Sequence, residues 1–307
     1  MSVAGDPDRE TLVRALEDER RRELRRLVSR LVVLAVMVVA VFGVFFAGAD
    51  TVEDRLVILA MALIVGGVPA WMIGRGGPNR WRRHVAEMLY PALAQEAGFT
   101  DYAYRGPGLA FDGFREMDLV PAYHSGTRTH LLAGTFSGVR LQAAEVELRR
   151  GREGRGRVFT GLAVRARLSG DPGVSVRVGP DGGRIVGAVR EAVRAPASGL
   201  ALVSHAGLRG AGLEVRADNA VLASRLLDAG LAEALKALRP FGAVRAAVVD
   251  DVCLVTIETE AAFFPEPAVR RPVPGDHSRA VAARLSALAE LGRRLGEALA
   301  SGPARQG

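Results

Sequence analysis

The sequence is poor in cysteine, in lysine and in net charge. Cys253 is the one cysteine among 307 residues, which excludes an internal disulfide and any zinc site built from several cysteines. Lys236 is the one lysine, so arginine supplies almost all of the positive charge. The formal net charge is only +7 over the whole chain. Because nucleic-acid-binding domains concentrate basic residues on one face, we expect no nucleic-acid partner.

Motifs of catalysis are also lacking. The chain has no HExxH, no GxSxG and no Walker-type phosphate loop, and its five histidines show no metal-ligand spacing. His124 and His130 are six residues apart, and a metal site there would need Asp118 or Glu145 as a third ligand. We therefore predict no catalytic residue, no metal site and no cofactor. Cys253 lies in an apolar strand pattern and is predicted to be a small buried hydrophobe.

Two apolar runs stand near the N-terminus. Residues 31–49 and 56–73 contain no charged side chain, and each run is close to the length of about 20 residues that crosses a bilayer as a helix. Residues 50–55 between them are enough for a tight turn and too few for a domain. The sequence therefore predicts a helical transmembrane hairpin over residues 31–73. A cleaved signal peptide is the alternative, but the charged segment before the first run is too long for one.

Arginine counts indicate the orientation of this hairpin. Eight arginines precede the first run, one lies in the turn and four lie in the ten residues that follow the second run. The positive-inside rule then places both flanks in the cytoplasm. We predict a multi-pass protein of the inner (cytoplasmic) membrane with both termini cytoplasmic. Residues 1–30 form its charged cytoplasmic N-terminal arm, and the arm's sparse leucines favour a solvated helix.

Small residues and tryptophans mark the second apolar run. Ala62, Gly66 and Ala70 follow one another at a spacing of four, which lets two helix backbones approach closely. Packing against the first run and self-association of two copies both account for this stripe. Trp71 and Trp81 are predicted at the membrane interface, where aromatic side chains are enriched.

The remainder of the chain predicts a cytoplasmic α+β domain over residues 79–268, after a Gly- and Pro-containing linker at 74–78. Runs of strands with helices at the ends favour a largely antiparallel sheet with flanking helices. Helices are predicted over 80–93, over 219–238 and, as a C-terminal amphipathic helix, over 276–301. The last of these docks on the body or pairs with another chain. The predicted strands are 129–135, 139–148, 158–168, 174–178, 185–189, 200–203, 213–217, 243–249 and 252–259.

Two groups of arginines are the candidate binding residues. The first opens the helix after the second run, where anionic headgroups attract nearby basic side chains, and comprises Arg80, Arg82 and Arg83. The second lies at the tip of a predicted hairpin and comprises Arg149, Arg150, Arg152, Arg155 and Arg157. Contact with anionic lipid or with an acidic partner is the functional interpretation of both groups. A solvated hairpin end is the alternative for the second.

Several segments of the predicted α+β domain are similar in sequence to a known protein family. They lie in the run LVPAYHSGTRTHLLAGTFSGVRLQAAEVELRR, in VFTGLAVRARL, and in the segments 218–227 and 252–267. On these motifs the chain resembles an uncharacterised family of bacterial membrane proteins, domain of unknown function 3137, over residues 25–268. The resemblance implies a fold with two N-terminal spans and no activity. The matching positions are Pro121, Tyr123, Gly134, Phe136, Gly138, Glu145, Val146, Phe159, Gly161, Phe264, Glu266 and Pro267.

The sequence thus favours a membrane-anchored cytoplasmic scaffold or protein-interaction module. Its predicted partners are the lipid bilayer and either another protein or a second copy of the chain. The alternative is a membrane-tethered enzyme, such as a hydrolase acting on lipid or envelope precursors. A pocket that gathers several polar side chains would favour the enzyme, and a shallow surface would favour the scaffold.

Overall fold

The computed structural model describes residues 7–105, 108–151, 156–180, 199–265, 268, 271–274 and 276–300. The predicted strand over 185–189 lies outside these residues. The chain divides into two compact units. The first comprises residues 1–89 and 266–278, and the second comprises residues 90–265 and 279–307.

Two long helices, α1 (Pro7–Ala47) and α2 (Val52–Glu96), carry the apolar runs. Each has a stretch long and apolar enough to cross a membrane, namely Thr11–Ala47 and Val52–Ile73, and neither has its most apolar part buried. Nearly all the exposed large hydrophobic side chains of the described residues lie between positions 28 and 72. An apolar surface of this extent needs lipid rather than water around it. The chain is therefore a membrane-associated protein with two candidate transmembrane helices.

The turn between α1 and α2 is closed by side-chain caps. The Thr51 hydroxyl oxygen accepts the Asp54 backbone N–H at 3.1 Å, and the hydroxyl donates to the Asp54 carboxylate at 2.6 Å. Arg55 donates to the Ala49 carbonyl oxygen, which lies at the end of α1. These bonds satisfy groups that a helix end leaves unpaired, which explains how so short a segment reverses the chain.

The stripe of small residues faces the first apolar helix. A Cβ added at Gly66 would lie 3.2 Å from a methyl group of Val38, which is close contact. Ala62, Gly66 and Ala70 are half-buried, whereas their neighbours Leu63 and Val68 are exposed. The contact with Val38 supports packing within one chain, which is one of the two interpretations of the stripe.

The N-terminal arm is less solvated than its charge indicates. Leu16 is fully buried and Arg20 is 7% exposed. The Glu17 carboxylate accepts two hydrogen bonds from Arg20, at 2.6 and 2.8 Å, and one from the Val273 backbone N–H at 3.3 Å. The expectation of a solvated arm is therefore wrong for this turn of α1, because Glu17 and Arg20 neutralise each other where the arm meets the 271–274 segment.

Two further expectations for α2 are wrong. The helix continues through residues 74–78, where a linker was predicted. A proline inside a helix removes one hydrogen bond and crowds the carbonyl group four residues earlier, but helices of membrane proteins tolerate such residues. Trp81 is 1% exposed, so the expectation that it lies at the membrane interface is wrong, whereas Trp71 is 58% exposed. The predicted amphipathic pattern from Trp81 onward is confirmed, since Val85, Leu89 and Leu93 are also buried.

The second unit is built on one sheet, which has nine strands among the described residues. Its strand order is β1-β2-β3-β4-β9-β8-β5-β7-β6, and every neighbouring pair is antiparallel. This confirms the predicted α+β class. The strands are β1 (Asp101–Ala103), β2 (Ser125–Phe136), β3 (Val139–Arg150), β4 (Gly156–Arg167), β5 (Val176–Pro180), β6 (Ala201–Val203), β7 (Leu213–Ala217), β8 (Ala243–Val249) and β9 (Val252–Glu258).

Short helices and one long helix accompany the sheet. The predicted helix over 219–238 is present in three segments, because Gly230 has a φ of +131° and interrupts it with a π-helical turn over Leu227–Leu231. Asn219 caps its start by accepting the N–H groups of Val221 and Leu222. The helices are α3 (Asp112–Glu116), α4 (Ala206–Gly210), α5 (Ala220–Leu226), α6 (Ala232–Leu238) and α7 (His277–Ala300), with a 3₁₀ turn at Arg239–Phe241.

Pairing of β4 with β9 joins the two halves of the sheet. Their register matches Gly161 with Glu258. Gly161 has a φ of +155°, and a Cβ there would lie 1.9 Å from the Ile257 carbonyl oxygen. Only glycine fits this close approach of two backbones, which gives a physical reason for a glycine at one of the family-like positions.

Both faces of the central strands are buried. On one face, a cluster around Phe114, Val146, Phe159 and Leu254 is covered by the segment from Leu109 to Val120. The other face carries the alternate residues of the same strands, such as Leu141 and Leu162, which are also fully buried. In the middle of β4, side chains on both faces of the strand are buried, so neither face is exposed to solvent.

Helix α7 docks on the body, which decides between the two interpretations of the C-terminal segment. Its side chains at Val281, Leu285, Leu288, Leu291 and Leu295 are at most 1% exposed. Two glycines allow the approach: a Cβ at Gly292 would lie 2.9 Å from the Phe136 side chain, and one at Gly296 would lie 2.3 Å from the Ser137 carbonyl oxygen. The helix therefore rests directly on the β2–β3 turn.

Candidate functional site

The predicted arginines of the hairpin tip are brought together only in part. Arg149 on β3 lies directly opposite Arg157 on β4, and Arg150 lies opposite Gly156. Arg149 forms an ion pair with Glu147 at 2.6 Å, which neutralises one of the positive charges. Arg150 and Arg157 are exposed. Arg152 and Arg155 lie outside the described residues.

The arginines on α2 form an exposed group of their own. Arg80, Arg82 and Arg83 all have solvent-exposed side chains. Arg83 donates to the Glu87 carboxylate at 2.7 Å, four residues further along the helix. An exposed pair of this kind contributes little to stability.

A buried carboxylate holds the segment that follows β9. Glu145 on β3 is 8% exposed. Its two oxygens accept the backbone N–H groups of Phe263 and Phe264 at 2.9 and 3.2 Å. The guanidinium of Arg284 on α7 donates to the Phe263 carbonyl oxygen and lies over the Phe263 ring, 5.5 Å from its centroid. Strand β3, the 263–264 segment and α7 are thus joined through polar groups.

The charge of Arg284 at this junction is partly shielded from water. Burial lowers the pKa of the Arg284 guanidinium below its ordinary value, while Tyr90 and Glu145 act in the opposite direction. Phe263 and Phe264 are 1% and 0% exposed, so they are part of the core. The carboxylate of Glu145 holds the 263–264 segment against β3.

Aromatic side chains surround a buried histidine beside this junction. His130 is 1% exposed and has a φ of +51° at an irregularity between Thr129 and Leu132 in the β2–β3 register. The Tyr102 hydroxyl lies 2.9 Å from the His130 Nδ1 atom. The Tyr90 ring centroid is 4.6 Å from that of His130, and the Tyr90 hydroxyl donates to the Pro265 carbonyl oxygen at 3.0 Å.

The described surroundings of His124, His130 and Cys253 are those of residues that serve the fold. His130 is a core residue and not a loop residue, whereas His124 lies at the hairpin tip and accepts the Gly151 N–H at 3.3 Å. Within the described ranges, no three His, Cys, Asp or Glu side chains are grouped to hold a metal ion. Cys253 is fully buried in β9, as predicted, and burial raises the pKa of its thiol to about 12.

An open cleft of about 670 Å³ lies where β9 stops pairing with β4. The register of the two strands begins at Gly161 and Glu258, and just before it the Thr160 carbonyl oxygen accepts the Thr259 N–H at 2.8 Å. The described wall of the cleft consists of residues 157–160 of β4, residues 239–243 before and within β8, and residues 258–260 at the end of β9. No histidine, cysteine or serine is among these wall residues.

Charged side chains of both signs line the cleft. Arg157 and Arg239 each present a guanidinium, and within the described chain neither makes an ion pair. Glu258 is paired with Arg245 at 3.1 Å. The Thr160 hydroxyl is buried and has no hydrogen-bond partner among the described residues.

The sequence singled out Arg157 and gave no sign of the other polar residues that line the cleft with it. Arg239 and Thr160 are separated from each other by 79 positions, and they meet only because β9 and β8 bring the 239–243 turn to the end of β4. For the buried His130 the sequence did contain a signal. His130 has the same parity as Leu132, Gly134 and Phe136, which places it on the core side of β2.

Comparison with known proteins adds little. Neither protein-family models nor curated proteins match the chain. A solved structure similar to it is that of the mycobacterial trehalose monomycolate transport factor A, TtfA, with 14% identity and a TM-score of 0.36. The alignment covers 59% of this chain and 85% of the TtfA chain. Similarity of this extent carries no argument about function. The resemblance to domain of unknown function 3137 stays a prediction.

Proposed function

We propose that the protein is a membrane-anchored scaffold or protein-interaction module with a cytoplasmic body. The observation that carries this proposal is the division of labour between the two units. The apolar surface of α1 and α2 is exposed and needs lipid, whereas the buried carboxylate of Glu145 in the body holds the 263–264 segment against the sheet. In this proposal the body acts by binding other molecules at its surface and not by catalysis.

The hairpin lies in the inner membrane with both termini cytoplasmic in this proposal. The distribution of arginines, eight before the hairpin, one in its turn and four in the ten residues after it, supports that orientation. Exposure of Arg80, Arg82 and Arg83 just beyond the second apolar stretch supports contact with anionic headgroups. The hairpin tip with Arg149, Arg150, Arg152, Arg155 and Arg157 supplies a second positive surface for lipid or for an acidic partner.

An interaction module requires an exposed contact surface on the body. Leu202 on the edge strand β6 and Val221 on α5 are each 62% exposed, and no other described large hydrophobic outside the hairpin has that exposure. Strand β6 ends the described sheet, so its outer edge is not covered by another described strand. Edge strands with exposed apolar side chains are common contact sites for proteins.

We expect a photo-activatable residue at Val221 or Leu202 to form a protein adduct in the full-length protein in its native membrane. The matched control carries the same residue at Val44, which is 74% exposed within the first apolar helix and should react only with lipid. An adduct of twice 32.5 kDa identifies a second copy, and any other single mass identifies a different protein. Body positions that give no protein adduct in the membrane would contradict the proposal.

A further inference from the structure

We propose that the cleft between Arg157 and Arg239 binds a phosphate group, carried either by a lipid headgroup or by a soluble phosphate ester. This binding site goes beyond the anchoring role and does not depend on it, because all the described wall residues belong to the second unit. Its volume of about 670 Å³ is within the range of small-molecule sites.

The charges of the wall favour an anion. Two guanidinium groups, those of Arg157 and Arg239, make no ion pair within the described chain. Glu258 is already paired with Arg245, which leaves Glu260 as the one carboxylate of the wall without a described partner. Arginine presents a planar fork of donors that matches the oxygens of a phosphate group. Two such forks against one exposed carboxylate leave an excess of positive charge in the cleft.

A buried hydroxyl supplies a second, independent observation. Thr160 is 8% exposed, and its Oγ1 atom has no hydrogen-bond partner among the described residues. Buried polar groups without a partner are rare, because leaving one unpaired costs free energy. Rotation about χ1 exchanges the hydroxyl and methyl positions of a threonine. The hydroxyl of Thr160 can thereby reach a ligand oxygen in the cleft that this residue lines.

The position of Arg239 is fixed by the turn that precedes β8. Gly242 ends this turn, and its N–H donates to the Arg239 carbonyl oxygen at 3.2 Å. Gly242 has a φ of +159°, and a Cβ there would lie 2.2 Å from the Glu258 carbonyl oxygen. The turn therefore lies directly against the end of β9. Pro240 and Phe241 of the same turn add an apolar wall, which suits the glycerol or other carbon skeleton that carries a phosphate.

Calorimetric titration of the full-length protein in neutral detergent micelles tests the site. Glycerol 3-phosphate and short-chain phosphatidylglycerol are the two phosphate probes, and glycerol is the uncharged control. We expect saturable binding of at least one phosphate probe and none of glycerol. Binding of the lipid alone identifies a headgroup as the source, and binding of glycerol 3-phosphate alone identifies a soluble ester. Binding of both shows that the phosphate group itself suffices.

Matched variants assign the binding to the cleft. Arg157→Gln and Arg239→Gln should each weaken phosphate binding about tenfold or more, since each removes a charge-assisted fork. Arg167→Gln is the control, because Arg167 lies at the other end of β4 and pairs with Asp251 at 3.0 Å. It should bind within about twofold of the wild type. A loss in only one of the two cleft variants, an equal loss in the control, or no binding of either phosphate probe would overturn the proposal.

Thr160→Val separates ligand binding from folding. The substitution keeps the shape of the side chain and removes the unpartnered hydroxyl. We expect the melting temperature of the unliganded protein to stay the same or rise, while affinity for the phosphate probe falls severalfold. Unchanged affinity would overturn the role of Thr160 in the site, and a lowered melting temperature would show that its hydroxyl serves the fold.

Discussion

Replacing Glu145 by alanine is expected to lower the free energy of unfolding of the body by about 3–5 kcal/mol. The substitution leaves the N–H groups of Phe263 and Phe264 without their acceptor in a dry core. Each such orphaned group costs about 1–3 kcal/mol. It also removes the negative charge that favours the protonated form of the half-buried Arg284 guanidinium. Glu145→Gln should lie between the wild type and Glu145→Ala, because one of its two oxygens is kept as an acceptor.

The single cysteine provides the measurement. Cys253 is fully buried in β9 and the pKa of its thiol is raised to about 12, so at pH 8 the folded protein should react very slowly with a maleimide. Unfolding exposes the thiol and restores its ordinary pKa. Labelling against denaturant therefore reports the opening of the sheet in the full-length protein in detergent.

Glu147→Ala is the matched control, two residues along the same strand. Glu147 forms its ion pair with the half-exposed Arg149, and such a pair contributes at most about 1 kcal/mol. The labelling midpoint should barely move in this variant. Equal shifts for Glu145→Ala and Glu147→Ala would show that the carboxylate of Glu145 does not hold the 263–264 segment.

Gly296→Ala should destabilise the body by about 1–3 kcal/mol, which is the cost of overpacking a core. The sign of this change in stability is informative, since Gly→Ala at a solvent-exposed position inside a helix stabilises by about 1 kcal/mol. In α7 the new Cβ would lie 2.3 Å from the Ser137 carbonyl oxygen. Ser137 has a φ of +46° in the tight β2–β3 turn and has little room to shift. The helix must then move away from the sheet and lose part of its buried contact.

Ser286→Ala is the control for this prediction, because Ser286 is exposed on the same helix. It should change stability by no more than about 0.5 kcal/mol. Both variants are followed by labelling of Cys253. Stabilisation by Gly296→Ala would mean that α7 does not rest on the β2–β3 turn.

The sequence predicted the elements whose signals are local. The hairpin followed from two uncharged runs, and β7 was predicted with its observed bounds because its residues alternate between turn signals. The pairing of strands that are far apart in sequence could not be predicted from local patterns. Nothing near Gly161 indicates that it pairs with Glu258, 97 positions away. The prediction of a linker at 74–78 was wrong because glycine and proline do not always end a helix. Here α2 continues through them.

The candidate site was predictable only where its residues are neighbours in sequence. The arginines of the hairpin tip were found because they are clustered, whereas Arg239 and Thr160 carry no signal until the fold brings them together. Glu145 was noted only as a family-like position and a possible metal ligand. Its partners lie 118 and 119 residues away, so its structural role appears only in the folded sheet.

Topology mapping tests the central claim most directly. A reporter enzyme active only outside the cytoplasm and a fluorescent protein that matures only inside it are each fused after Gly307 and, in separate chains, inserted within the turn at residues 50–55. A membrane-anchored protein with a cytoplasmic body predicts fluorescence from the C-terminal fusion and enzyme activity from the turn insertion. Enzyme activity at Gly307, or fluorescence from both positions, would contradict it.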